Sequence, residues 1–247
     1  MLESAEKLAS GLSFGHAALD YERGRLEWPE GLLDLVPVPH EAEVLDLAAG
    51  TGKLTRSLAQ RYARVVAVEP DPEMRTLIED VEALAGTAEA IPLPDSSVDA
   101  VFAAEAFHWF EWKRAVSEIA RVLRPRGHLV LMWSGRWDFD PGIPDEAMEL
   151  LRAVYVRTGR PGGRRYESGE WKHAFRDARF EPLREAQLTS ERQQSPDETV
   201  SLWLSVSSVA SLPDAERAEL GQRLRELIDE PRRLRVPIDL YWTRLRA

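Results

Sequence analysis

Glu43-Val44-Leu45-Asp46-Leu47-Ala48-Ala49-Gly50-Thr51-Gly52 is an apolar run that carries an acid and ends in small residues and two glycines. Leu54, Leu58 and Ala59 follow on one helical face, with Lys53, Arg56 and Gln60 elsewhere. The pattern predicts a strand that meets a glycine turn and continues as a helix to about Tyr62. Open α/β sheets approach nucleotides with such a unit: small residues let the backbone come close, and the helix start offers unpaired N–H groups. The spacing narrows the ligand. G-x-G-x-x-G would put its third glycine at Thr55. A phosphate-cradling G-x-x-x-x-G-K-[ST] would need glycine in place of Leu47 and a hydroxyl in place of Leu54, so Gly52-Lys53 reads as a chance fragment.

Outward from this unit the chain alternates strand and helix. Arg64 to Val68 is a β-branched, buried kind of strand that stops at Glu69-Pro70. Asp71-Pro72-Glu73 then opens a helix that carries Met74, Leu77, Ile78 and Val81. A short third strand is predicted over Gly86 to Ala90, a fourth over Val98 to Glu105, and an amphipathic helix over Glu111 to Leu123. Arg124-Pro125-Arg126-Gly127 is the helix stop, and His128 to Trp133 is the fifth strand. Further on, a helix at about 145–158, an edge strand at 180–195, helices at 197–210 and from Pro213, and a last strand at Val236 to Trp242 are predicted. The order implies a doubly wound, mostly parallel seven-stranded α/β sheet covered on both faces. A single domain is expected, with its core at about 36–135, 178–195 and 233–247 and a helical cap at about 1–35, 136–177 and 196–232. Within the cap, residues 1–35 are a helical preface, with one helix through Tyr21 and Arg25 and another starting at Trp28-Pro29-Glu30.

Composition excludes several classes. The 247 residues are 44% hydrophobic and 30% charged, an ordinary globular balance. A net charge of −10 argues against an open nucleic-acid surface. No cysteine is present, which removes disulfides, thiolate catalysis and iron–sulfur ligation. The five histidines form no H-E-x-x-H, and no metal site is expected. Met1 to Lys7 lacks a basic start followed by an apolar core, and no apolar run reaches membrane-spanning length, so a cytoplasmic protein without a membrane partner is expected.

Several side chains could carry chemistry. Glu69 ends the second strand, where an acid can accept the ribose hydroxyls of an adenosine; its plainer reading is a solvated strand end. Asp46, inside an apolar strand, must be satisfied there, whether by loop N–H groups alone or also by a ligand. Glu105-Ala106-Phe107-His108-Trp109-Phe110 ends the fourth strand, where open sheets hold substrate. His108 reads either as a general base or anion binder, or as a hydrogen-bonded ring packed among aromatics. Trp109 and Phe110 read as core. Tyr21 and Arg25, one turn apart, either close a pocket, with Arg25 gripping a carboxylate, or form a solvated face; Trp133 and Arg136 carry the same two readings.

Four stretches occur in order: Val44-Leu45-Asp46-Leu47-Ala48-Ala49-Gly50-Thr51-Gly52, Val65 to Met74 with Glu69-Pro70, Ala88-Glu89 through Asp99, and Arg121 to Gly127. Together they resemble the methyltransferase type 11 group of class I methyltransferases that use S-adenosyl-L-methionine (SAM), and the run from Ala106 to Phe110 is similar to its trans-aconitate methyltransferase branch. The resemblance implies a Rossmann-like sheet, SAM as cofactor with S-adenosyl-L-homocysteine as product, and in-line methyl transfer to a small-molecule acceptor such as a carboxylate or hydroxyl. It implies cofactor contacts from Asp46, Ala48, Gly50, Gly52, Glu69, Pro70, Met74, Ala88, Glu89 and Glu105, and substrate-side roles for His108, Tyr21 and Arg25. Ala48 and Arg126 stand where the group usually has glycine, and Thr87 where it often has an acid. If position 48 needs a positive φ, the loop is strained. Two other classes would fit the glycine unit: a SAM-binding protein without transferase activity, and an NAD-dependent oxidoreductase, which the missing third glycine opposes.

Overall fold

A computed structural model of the chain describes residues 17–29, 31–134, 142–158, 166–175 and 179–247. In chain order the elements are α1 (Ala18–Gly24), β1 (Glu43–Leu47), α2 (Lys53–Arg61), β2 (Arg64–Val68), α3 (Pro72–Arg75), β3 (Glu82–Leu84), β4 (Val98–Ala104), α4 (Trp112–Val122), β5 (Leu123–Ser134), α5 (Asp145–Thr158), β6 (Arg184–Gln194), α6 (Pro196–Leu204), α7 (Ser207–Ala210), α8 (Asp214–Leu227) and β7 (Arg232–Arg244). One seven-stranded sheet runs β3-β2-β1-β4-β5-β7-β6. β1 to β5 pair in parallel, and β7 lies antiparallel to both β5 and β6. The mostly parallel, doubly wound sheet read from the sequence is therefore the fold.

Alternation along the central strands sorts the core into two layers. Leu45, Leu47, Val101, Ala103, Leu129 and Leu131 face α4, which buries Ala115, Val116 and Ile119 against them. Val44, Ala100, Phe102, Val130 and Met132 point the other way, against Leu54 and Leu58 of α2 and against Leu32 and Leu33. Each of the larger of these side chains, the valines, leucines, isoleucine, phenylalanine and methionine, contributes about 1.5–3 kcal/mol when it leaves water. A third apolar cluster joins α5, α6, α7 and α8 through Leu151, Val200, Trp203, Val209 and Leu224. β7 alternates buried positions with more open ones, while β6, at the sheet edge, alternates only between half-buried and exposed.

The local expectations needed four corrections. The helix after Asp71 spans only Pro72–Arg75, capped by the Asp71 carboxylate, which accepts from the Glu73 and Met74 N–H groups at 2.9 and 3.1 Å. Asp80, at φ 63°, turns the chain into β3, which precedes the expected Gly86–Ala90 strand. Gly86 instead packs on Pro92, whose Cδ would stand 2.6 Å from an added Cβ, and residues 87–90 form a turn. β3 is a half-exposed edge strand, so it carries little apolar signal. Residues 124–127 do not end a helix in open chain: β5 begins at Leu123 and bulges through them, with Arg126 at φ 69°. The second preface helix is a short 3₁₀ turn at Leu32–Leu35. Arg136 lies outside the described residues.

Candidate active site

The glycine turn is built as a strained backbone loop. Ala48, Gly50 and Gly52 all have positive φ, at 58°, 59° and 85°. Gly52 packs over Ile78, whose Cγ1 would lie 3.3 Å from a Cβ there. Ala48 holds a left-handed conformation that its Cβ disfavours by about 1–2 kcal/mol. Two buried acids secure the turn. Glu69 accepts the Gly50 N–H at 2.8 Å and the Asp71 N–H at 2.9 Å, so the end of β2 is tied to the loop after β1. Burial raises the basicity of Glu69, and these N–H groups oppose the rise. Asp46 accepts the Thr55 hydroxyl at 2.6 Å. Its burial pushes the carboxyl from 3.8 up to about 7, with Thr55 opposing and Glu69 adding to the shift.

Asp46, Ala48, Ala49 and Gly50 open onto a cavity. Tyr21, Arg25, Leu26, Glu27 and Trp28 from the preface close one side of it. Leu202 of α6 and Leu234, Val236 and Ile238 of β7 form an apolar wall, while Ala104, Glu105 and Ser134 stand at the ends of β4 and β5. The β4–β5 register sets Ala104 beside Met132, which brings Glu105 against Ser134. The Glu105 carboxylate accepts both the N–H and the hydroxyl of Ser134. The preface is held down by close packing: an added Cβ on Gly24 would stand 2.0 Å from the Leu202 nitrogen. Gln194 donates to the Gly24 carbonyl at 2.8 Å, and Asp20 pairs with Arg217 at 3.0 Å. Arg25 lies over the Tyr21 ring at 5.1 Å, and its Nε donates to Ser205 Oγ at 3.0 Å. Burial pushes the Tyr21 phenol up to about 12, eased by Arg25 and reinforced by Glu105, Glu69 and Glu22.

Of the residues singled out from the sequence, Tyr21, Arg25, Asp46, Ala48, Gly50 and Glu105 line this cavity together. Gly52, Glu69, Pro70, Met74, Ala88, Glu89 and His108 are not among its lining residues. Met74 lies beneath Gly50, with Sδ 3.9 Å from where a Cβ would be, and Glu89 accepts the Glu111 N–H at 2.7 Å. His108 is buried against Trp109 and Trp133, and the Trp133 indole N–H donates to its Nδ1 at 2.9 Å. Neutral His108 therefore carries its proton on Nε2. Trp133 itself stacks with Tyr166 and packs on Trp171.

Sequence reasoning passed over Lys53, which lines the cavity at 6% exposure. Its Nζ lies 2.6 Å from Glu27 and 3.6 Å from Glu22. A cation at the first position of a helix opposes the helix dipole, and that mismatch was the signal that it needed an acidic partner. Trp28, Ser134 and the β7 residues were also passed over, because nothing local marks them. Among the described residues no cluster of His, Asp and Glu is placed to hold a metal, and no helix is long and apolar enough to cross a membrane.

Comparison with known proteins agrees with this geometry. Residues 45–131 match a family model described as a methyltransferase domain. An uncharacterized methyltransferase of Mycobacterium tuberculosis is 47% identical over 155 residues, which cover 61% of this chain and 60% of that protein. An uncharacterized methyltransferase-like protein of Schizosaccharomyces pombe is 36% identical over 217 residues, covering 84% of this chain and 82% of that protein. A solved structure from Anaeromyxobacter dehalogenans, described as a type II methyltransferase, superposes with a TM-score of 0.63 at 25% identity over 90% of this chain and 99% of that one. The acid-secured glycine turn, the strand order and a relative matched along most of both chains place this protein in the methyltransferase domain family.

Proposed function

We propose that this chain binds SAM on its glycine turn and transfers the methyl group to a small molecule held in the adjoining cavity. The observation that carries the reading is the Gly50–Glu69 hydrogen bond, which joins the β1 turn to the end of β2 beside the cavity. The donor set suits a cationic sulfonium ligand: Asp46 lines the cavity, Glu69 backs the turn, and Gly50 presents no Cβ. In this reading Asp46 faces the cofactor's amino group, Glu69 uses its remaining lone pairs on the ribose hydroxyls, and the Ala88–Glu89 segment borders the adenine. Bound there, the cofactor supplies a methyl group already activated on sulfur. The chain's own residues then position the acceptor and exclude water, which is where most of the rate advantage of such a displacement arises. The preface and the Leu202, Leu234 and Val236 wall do the excluding. His108, whose Nδ1 accepts from the Trp133 indole, holds that ring in place and is not the base in this reading.

Calorimetric titration with S-adenosyl-homocysteine tests the cofactor assignment. Wild-type protein should bind, and Glu69→Ala should lose roughly 100-fold in affinity, about 2.7 kcal/mol. Equal affinity in a Glu69→Ala protein of unchanged circular dichroism would overturn it, as would binding of NAD in preference.

A further inference from the structure

The polar groups of the cavity are unevenly occupied. Lys53 is paired with Glu27 at 2.6 Å. The Arg25 guanidinium is engaged by Ser205 through Nε at 3.0 Å and Nη2 at 3.4 Å. Glu105 is held at the strand end by one oxygen: Oε1 takes both Ser134 hydrogen bonds, and Oε2 accepts none among the described residues. The residue sits at φ 55°, a left-handed conformation that a side chain disfavours and that clusters at ligand and active sites. Glu105 is thus held by one oxygen and presents the other at the end of β4, on the cavity wall.

Charge decides what it meets. The cavity holds two cations, Arg25 and Lys53, against Glu27, Glu105 and Asp46. Lys53 is paired with Glu27 and Arg25 lies in the field of Glu105, so among the described residues a carboxylate acceptor would meet no surplus positive charge. The remaining surface, from Leu26, Trp28, Leu202, Leu234, Val236 and Ile238, is apolar. Tyr21 is a neutral phenol near neutral pH, and burial raises it further from that range. Burial likewise makes Glu105 more basic than an exposed glutamate, with Arg25 and Ser134 limiting the rise.

We propose that Glu105 Oε2 accepts the proton of an apolar phenol, so that this site methylates a neutral hydroxyl in preference to a carboxylate. The proposal rests on the methyl-transfer reading above. A carboxylate base is closer in proton affinity to a phenol, near 10, than to an aliphatic alcohol. Atoms balance: the acceptor oxygen gains the methyl, its proton passes to Oε2 and then to water, and the leaving sulfur keeps the electron pair of the broken carbon–sulfur bond.

The test compares a butylphenol with a butylbenzoate, using SAM labelled in its methyl group, on wild type, Glu105→Gln and Glu105→Asp. Wild type should methylate the phenol faster. Glu105→Gln should lower kcat by roughly 100-fold or more and remove the acidic limb of the pH profile, and Glu105→Asp should recover part of the rate. Calorimetry on cofactor-free protein gives a second readout: Glu105→Gln should weaken butylphenol binding while leaving S-adenosyl-homocysteine affinity within threefold of wild type. If wild type binds no S-adenosyl-homocysteine, the methyltransferase reading falls and the proposal with it. If cofactor binding is intact, any of four results overturns the proposal alone: benzoate methylated as fast as the phenol, an unchanged rate in Glu105→Gln, a phenol neither bound nor methylated, or a Glu105→Gln protein that loses the cofactor too.

Discussion

One wall of the cavity comes from a single stretch of chain, residues 46–54, while the opposite wall draws on residues 21–28, Leu202 and residues 234–238. The first wall is shaped by backbone: three positive φ angles, with Glu69 tying Gly50 to the end of β2. The second is shaped by side chains that meet only because α1 docks on α6 and β7 runs back along β5. A wall made of one turn is set by local sterics and tolerates little change in residue type. A wall made of three distant segments depends on how those segments dock, and its chemistry can vary without disturbing the turn.

The largest way to break this contrast is Gly24→Ala. Its Cβ would meet the Leu202 nitrogen at 2.0 Å and the Ser201 carbonyl carbon at 2.4 Å, and backbone cannot swing aside as a side chain can. We expect a loss of about 3 kcal/mol in denaturant unfolding, at the upper end of overpacking costs. Phenol binding should fall more than S-adenosyl-homocysteine binding does, and equal losses would mean that the two walls are not separable.

Asp46→Asn acts on the local wall with nearly the same size and a clear pH signature. The Asp46 carboxyl sits at about 7 when folded, against 3.8 for the free side chain. The folded protein therefore binds the proton more tightly than the unfolded one. Its burden on stability is absent below the ordinary value, grows as pH rises through the window between the two, and is fully present above about 7. Asp46→Asn should raise unfolding stability by on the order of 3 kcal/mol in mildly alkaline buffer, and this gain should vanish near pH 4. A gain independent of pH would show that Asp46 is not a protonation-linked cost.

The smallest effects sharpen the comparison. Ala48→Gly and Arg126→Gly each relieve a left-handed residue, at φ 58° and 69°. Each should stabilise by about 0.5–1 kcal/mol after the extra freedom of glycine in the unfolded chain is set against the relief. Arg126 is exposed in the β5 bulge, away from the cavity, so it serves as the control. Should Ala48→Gly alone change S-adenosyl-homocysteine affinity, the strain in the turn is used in binding.

The two walls also differ in how they could be read. Asp46, Gly50 and Glu69 stood out because an acid inside an apolar strand must find a partner where it is buried, and glycines at a strand end mark a backbone turn. The parallel core was legible for a related reason: strands buried on both faces are apolar throughout, and helices such as Trp112–Val122 carry a clear period. β3 was misplaced because a half-exposed edge strand of three residues has no such pattern. His108 was open between two roles, and only the Trp133 hydrogen bond showed which nitrogen is occupied. Lys53 was dismissed with its glycine although its unfavourable place at a helix start called for Glu27.

By itself, the sequence determined the doubly wound sheet and the acid-and-glycine turn, because both are signalled by patterns within a few residues: apolar periodicity, and backbone angles that favour glycine. Tertiary structure alone decided that Gly24 would seat the preface on α6, that Ser134 would leave one oxygen of Glu105 open to the cavity, and that β7 would supply its apolar wall. Those outcomes depend on contacts between residues far apart in the chain, which packing and strand register select and no local pattern records.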